Sequence, residues 1–188
     1  MVVSTTIKLR VALARQAVQA NAAAVLGIEL DRAPALPVAR PVIADGRMMP
    51  HEWIAAPGAA PLKVDAAAHG DDHFFPGPTD AAWDLAGAVV ELGLGPAAER
   101  FLLERYARAS GDHAERRLGP WLVAYALHRA ALTGLAAAAV GGGEEAERLA
   151  TASEGYRQAL AKLVARWPEA AEIARAAARD EPAARKAG

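Results

Sequence analysis

Between Pro61 and Glu91 the chain reads PLKVDAAAHGDDHFFPGPTDAAWDLAGAVVE, a stretch that concentrates side chains able to do acid–base or metal chemistry. It carries five aspartates, Asp65, Asp71, Asp72, Asp80 and Asp84, and two histidines, His69 and His73. Asp65 closes a run that reads as a short strand, a glycine-containing loop brings further carboxylates, and Asp80 stands where an amphipathic run begins. Carboxylates presented in this way suit a hard cation such as Mg²⁺, which takes oxygen ligands and leaves positions for substrate phosphates. Asp65 is the leading candidate, with a solvated turn aspartate as the alternative. His69, Asp71, Asp72 and His73 form a second constellation, HGDDH, whose imidazoles and carboxylates suit a transition metal and hence a metal-dependent hydrolase. The alternative is a polar loop that orders itself through aspartate–backbone bonds or meets a substrate.

Several chemistries have no support in the sequence. It contains no G-x-x-x-x-G-K-[ST], no G-x-G-x-x-G, no G-x-S-x-G and no H-E-x-x-H. The GGG at 141–143 lacks the preceding strand that a phosphate loop needs and reads as a hinge. His51 stands alone beside Glu52, and His113 and His128 fall in helical runs, where a solvated or core-edge histidine is the ordinary reading.

The elements that must position the acidic stretch are mostly helical. Residues 4–26 place Ile7, Val11, Ala14, Val18 and Val25 on one face of an amphipathic helix. Residues 27–51 are a proline-punctuated connector in which VARPVI forms a short extended piece. EWIAA and PLKVD flank Pro57 and Gly58 as a hairpin over 52–65, and 66–79 is a loop. Thr79 is the expected N-cap of a helix from Asp80 to about Leu92, with Ala82, Leu85, Ala86, Val89 and Leu92 facing inward and Asp80 and Asp84 on another line.

Helices continue to residue 180. One spans about 97–109, and Asp112 with Glu115 approximates a capping box. Pro120 predicts a break, so that a separate helix runs from Trp121 to about Val140. A helix over 144–167 follows, then a short last helix and a flexible tail at 181–188. The fold class is mainly α with one short β-hairpin, in one domain over 1–180. Trp53, Trp83, Trp121 and Trp167 are the large anchors of an alanine-rich core.

A formal net charge of −1 gives no global attraction to nucleic acid or an anionic membrane. The absence of cysteine excludes disulfides, thiolate metal sites and cysteine nucleophiles. The N-terminal run is interrupted by Lys8, Arg10 and Arg15. No export signal and no membrane-spanning run is expected, which points to the cytoplasm.

The order connector, hairpin, aspartate, loop and DAAWDLAG helix resembles the helical C-terminal lobe of the aminoglycoside phosphotransferase and choline kinase-like group of the protein-kinase-like fold. There a loop of the type HGDxHPxN leads into a hairpin, a metal-binding aspartate ends the second strand, and a GDPxxDLA segment opens a helix. KVD makes Asp65 look like the metal aspartate. PTDAAWDLAG places Asp80 and Asp84 on the two aspartates of the other segment, where the resemblance implies braces for the catalytic loop. MMPHEW sets Glu52 on the metal-binding asparagine.

The same alignment puts Arg47 where the catalytic aspartate belongs, with Asp45 two residues earlier. The resemblance covers about residues 40–92. It implies Mg²⁺ and ATP as cofactors, held through Asp65 and Glu52, Asp45 as the group that orients a hydroxyl acceptor, and a missing or separately encoded N-terminal lobe carrying the glycine-rich loop and strand lysine, so that the chain is a fragment, half of a split protein, or a lobe kept for binding. A non-catalytic, degenerate kinase-like module that binds a partner through a helical surface is the competing implication, favoured by Arg47.

Overall fold

A computed structural model describes residues 16–25, 36–42, 44–64 and 79–166. Asp65, His69, Asp71, Asp72 and His73 lie outside these residues, as do Trp167, the expected last helix and the tail. The described chain is mainly helical with two small antiparallel strand pairs.

Residues 16–25 are helical (α1), and Val18, Ala22 and Val25 are buried, in keeping with the amphipathic pattern. β1 (Pro41–Val42) lies in the connector, and β2 (Trp53–Ile54) pairs with β3 (Leu62–Lys63) as the expected hairpin. Its turn has Ala59 N–H donating to the carbonyl of Ala56, with Pro57 second and Gly58 third at φ +74°. That is the residue order a type II turn requires, because only glycine adopts the left-handed third position without strain.

The approach to the acidic helix differs from the sequence expectation. Thr79–Asp80 is β4, paired with β1 so that Pro41 faces Asp80 and Val42 faces Thr79. The helix α2 runs Ala82–Glu91, after Ala81, with no side-chain cap at that position. Asp80 caps instead, its Oδ1 accepting the N–H of Ala82 at 2.8 Å. Pairing with the connector holds Thr79 and Asp80 extended, so the N-cap moves past Thr79. Asp80 and Asp84 therefore do not share a helix line, because Asp80 precedes the helix. Leu92, expected inside, is 45% exposed because the helix has already ended.

Helix α3 (Pro96–Ser110) starts on its proline and stops at Gly111, which takes φ +71°. The expected capping box is absent. Asp112 is engaged by Arg117 and Tyr106, and 114–116 forms a short 3-10 turn. Pro120 does not break the next helix: α4 spans Leu118–Val140, and the proline falls in its first turn, where no intrahelical N–H is needed. Gly141, Gly142 and Gly143 all have positive φ and turn α4 back into α5 (Glu144–Arg166). The GGG is thus a tight turn between antiparallel helices.

The core forms where α2 and α5 pack on α4. Trp83 of α2 lies against Trp121, Tyr125 and His128, with ring centroids at 6.3, 4.9 and 5.5 Å. Those three follow a four- and three-residue step, one face of α4. His128 is buried at 5% exposure and is not a solvated histidine. Small residues bring α5 close: the Ser153 hydroxyl donates to the carbonyl of Ala130, and a Cβ on Gly134 would stand 3.2 Å from Ser153 Oγ. Contrary to expectation, α4 is long and apolar enough to cross a membrane, with a mean hydropathy of 1.3 over its best 18 residues. Half of that window is buried inside the protein, as in the core helix of many folds, and the helix does not decide location.

Candidate functional site

The site is built from the connector upward. Leu36 is buried and the indole Nε1–H of Trp121 donates to the carbonyl of Pro37 at 3.0 Å, which fixes the connector on α4. The two aspartates of PTDAAWD then take over its backbone. Asp80 is fully buried; its Oδ2 accepts the N–H groups of Ala39 and Arg40, each at 2.8 Å. Oδ1 accepts the Nε–H of Arg117 at 2.8 Å besides the N–H of Ala82. A buried carboxylate left unpaired would cost several kcal/mol, so these three backbone N–H groups and one guanidinium are the condition for its presence.

Arg117 extends this network. Its terminal nitrogens donate to both oxygens of Asp112 at 2.9 and 2.6 Å, and Tyr106 donates its hydroxyl to Asp112 at 3.0 Å. The guanidinium beside it holds the Asp112 carboxyl below the ordinary carboxylate range. Arg40 closes the arrangement by donating to the carbonyl of Ser110 at the end of α3.

Asp84 holds the next part of the same segment. Its Oδ2 accepts the N–H of Asp45 at 3.0 Å and its Oδ1 that of Gly46 at 2.9 Å. Burial pushes the Asp84 carboxyl up, and the two backbone donors oppose that shift. Gly46 has φ +79°, so the chain turns directly after Asp45 in a conformation other residues resist.

With its backbone held, Asp45 directs its carboxylate to Lys63 of β3, Oδ2 to Nζ 2.8 Å. The same ammonium meets Glu52 Oε2 at 2.9 Å. Glu52 closes the 3-10 turn Pro50–Glu52 ahead of β2, and its carbonyl accepts the N–H of Val64, which extends the hairpin ladder. All three side chains are close to fully shielded. Burial works against the Lys63 ammonium, yet the hydrogen bonds it donates to Asp45 and Glu52, with their negative charge, outweigh it and keep its pKa above the ordinary lysine value.

The structure thus brings Asp45 and Glu52 together across Lys63, and puts Asp80 and Asp84 behind the backbone of residues 39–46. Arg47, which the motif alignment places at the catalytic aspartate, is exposed. Lys63 was missed by sequence reasoning. Its signal was available: a lone lysine two residues before Asp65 on a strand paired with the one following Glu52.

Oxygen donors converging on one positive centre are what a hard cation requires, and the ammonium stands in for such a cation here. Asp45 and Glu52 therefore fit a divalent metal in donor type. They supply two carboxylates; no group of three or more histidines, cysteines, aspartates and glutamates suited to a metal occurs among the described residues. A groove of about 640 Å³ along α3, lined by Leu103, Glu104, Arg108 and Arg166 among others, includes none of the candidate residues.

A second buried network stands behind the site. Glu91 of α2 accepts the hydroxyls of Tyr125 and Tyr156 at 2.9 and 2.8 Å and pairs with Arg129 at 2.9 Å. Arg129 also reaches the sulfur of Met49, ahead of Glu52. This network joins α2, α4, α5 and the loop, and its groups are engaged with one another.

No protein-family model matches the chain, and no curated protein or solved structure matches it.

Proposed function

We propose that the chain is the helical lobe of a small-molecule phosphotransferase of the kinase-like type, moving a phosphoryl group from Mg-ATP to a hydroxyl acceptor. The observation that carries this reading is the anchoring of residues 39–46 by Asp80 and Asp84 through four hydrogen bonds, from the backbone N–H groups of Ala39, Arg40, Asp45 and Gly46. A loop held by its backbone presents a fixed side chain, and positioning is the main contribution a protein makes to phosphoryl transfer.

In this reading Asp45 orients the acceptor hydroxyl. Glu52, with Asp65 by resemblance, holds Mg²⁺, whose charge when bound offsets that of the nucleotide phosphates. An N-terminal lobe supplies the remaining phosphate contacts, so nucleotide binding by this chain alone is weak.

A second reading, a non-catalytic module, is favoured by the way Lys63 already neutralises Asp45 and Glu52. Calorimetric titration with ATP and Mg²⁺ of the chain and its Asp65→Ala variant separates the two. The phosphotransferase predicts weak Mg²⁺-dependent binding that Asp65→Ala abolishes with the circular dichroism unchanged. Heat that does not depend on Asp65, or no heat at all, supports the module.

A further inference from the structure

Helix α3 stands at the surface: of its 15 residues only Glu99 and Leu103 are buried. Ala97, Arg100, Phe101, Glu104 and Arg108 are all exposed, and their three- and four-residue steps put them on one face. Phe101 is 65% exposed. A single exposed aromatic residue is ordinary. This one, however, stands beside the groove along the same helix, whose lining includes the apolar side chains of Leu103 and Ala107.

The charges of the groove are of two kinds. Arg166 donates to both carboxylate oxygens of Glu99 at 2.6 and 2.8 Å, and His113 Nδ1 lies 2.9 Å from Glu115 Oε1, so these four are matched within the chain. Arg100, Glu104 and Arg108 follow one another at single turns of α3 and are not matched: none of their side chains makes an ion pair or hydrogen bond among the described residues.

Opposite charges one turn apart complement themselves when a second α3 lies antiparallel, with the two-fold axis at the level of Leu102. Arg100 then faces Glu104 of the second copy, and Glu104 faces its Arg100. The same register brings Phe101 level with Leu103 of the second copy and Ala97 level with its Ala107, which is the apolar part of the other groove. Parallel helices in register would set like charge against like.

We propose that this face of α3 is a homodimer interface, in which Phe101 of each copy enters the groove of the other and the Arg100–Glu104 pairs flank the two-fold axis. It uses none of the residues around Lys63, so it stands or falls apart from the phosphotransferase reading. A helix of 15 residues is about 22 Å long. Two such helices bury less than a standard interface, so the dimer is weak and reversible, with Kd on the order of 10–100 μM.

The test is analytical ultracentrifugation of the full chain from about 5 μM to about 500 μM, which spans that Kd. The wild type is expected to pass reversibly from monomer to dimer, and Phe101→Ser to weaken the dimer about tenfold or more. Arg100→Glu and Glu104→Arg each set like charges face to face and are expected to stay monomeric, whereas the double variant regains the dimer. An equimolar mixture of the two single variants is expected to form a heterodimer, because it restores both pairs. All three positions are exposed, so circular dichroism is expected to match the wild type. A wild type that is monomeric throughout, a dimer indifferent to Phe101 and to the charge reversals, or single variants whose mixture does not associate, overturns the proposal. Hydroxyl-radical footprinting separates the other occupants: a monomer whose Phe101 ring is protected has this face covered by something else, which also overturns it.

Discussion

Arg117 donates its Nε–H to Oδ1 of Asp80 at 2.8 Å, in a place where Asp80 has no solvent exposure and Arg117 only 8%. Removing the cation from such a pair leaves a buried carboxylate uncompensated, a change that costs about 3–5 kcal/mol in general. Arg117→Met is expected to destabilise the protein by an amount in that range, read from the midpoint of urea unfolding. An effect below about 1 kcal/mol would place the pair among weak, solvent-screened ones.

Among the described residues, Asp84 differs from Asp80 in being held by the N–H groups of Asp45 and Gly46 and by no guanidinium. Asp84→Asn removes a charge that burial disfavours, and it also loses one of the two acceptor oxygens. The two effects offset, so global stability is expected to change by about 1 kcal/mol or less. The amides of Asp45 and Gly46 are nevertheless expected to exchange with deuterium faster. Unchanged exchange at both amides would contradict the bracing role.

The acid limb of stability follows from two opposite shifts. Asp112 has its folded pKa lowered, so its contribution is present above the ordinary aspartate value and is lost as pH falls through the lowered one. Asp84 has its folded pKa raised, so the stability it adds is present below the ordinary value and is lost as pH rises through the raised one. Melting temperature measured as pH falls from about 6 to about 2.5 is therefore expected to decline less steeply in Asp112→Asn and more steeply in Asp84→Asn than in the wild type.

Gly87 provides a packing test inside the DAAWDLAG segment. A Cβ there would meet Tyr125 Cε2 at 2.9 Å and Met48 Cγ at 3.2 Å. The ring of Tyr125 is packed on Trp83, and its hydroxyl is tied to Glu91, so it cannot readily move away. Gly87→Ala gains about 1 kcal/mol of helix propensity but forces overpacking that costs about 1–3 kcal/mol. A lower melting temperature is expected, and a rise would show that the loop at Met48 yields.

The sequence made parts of this arrangement legible for identifiable reasons. Periodicity exposed α1 and α5, glycine and proline punctuation exposed α3, and the Pro57–Gly58 pair exposed the hairpin, because those signals are local. The pairing of Asp80 and Asp84 with the backbone of residues 39–46 was suggested only through a motif resemblance, since a contact across some forty residues leaves no local trace. Thr79 misled because the cap preference of threonine is weaker than the pairing of β4 with β1. Pro120 misled because a proline in a first turn and a proline in a helix interior look alike in sequence. Lys63 was passed over as an ordinary strand residue; only the fold brings Asp45 and Glu52 to its ammonium.

Asp45 and Glu52, held as described, are proposed to belong to a Mg-nucleotide site. The most direct measurement is calorimetric titration of ATP into the wild type and into Glu52→Gln, with Mg²⁺ and with excess chelator, at matched melting temperatures. The account predicts weak binding that requires Mg²⁺ and falls in Glu52→Gln. Binding that is equal with and without Mg²⁺, or indifferent to Glu52, would contradict it.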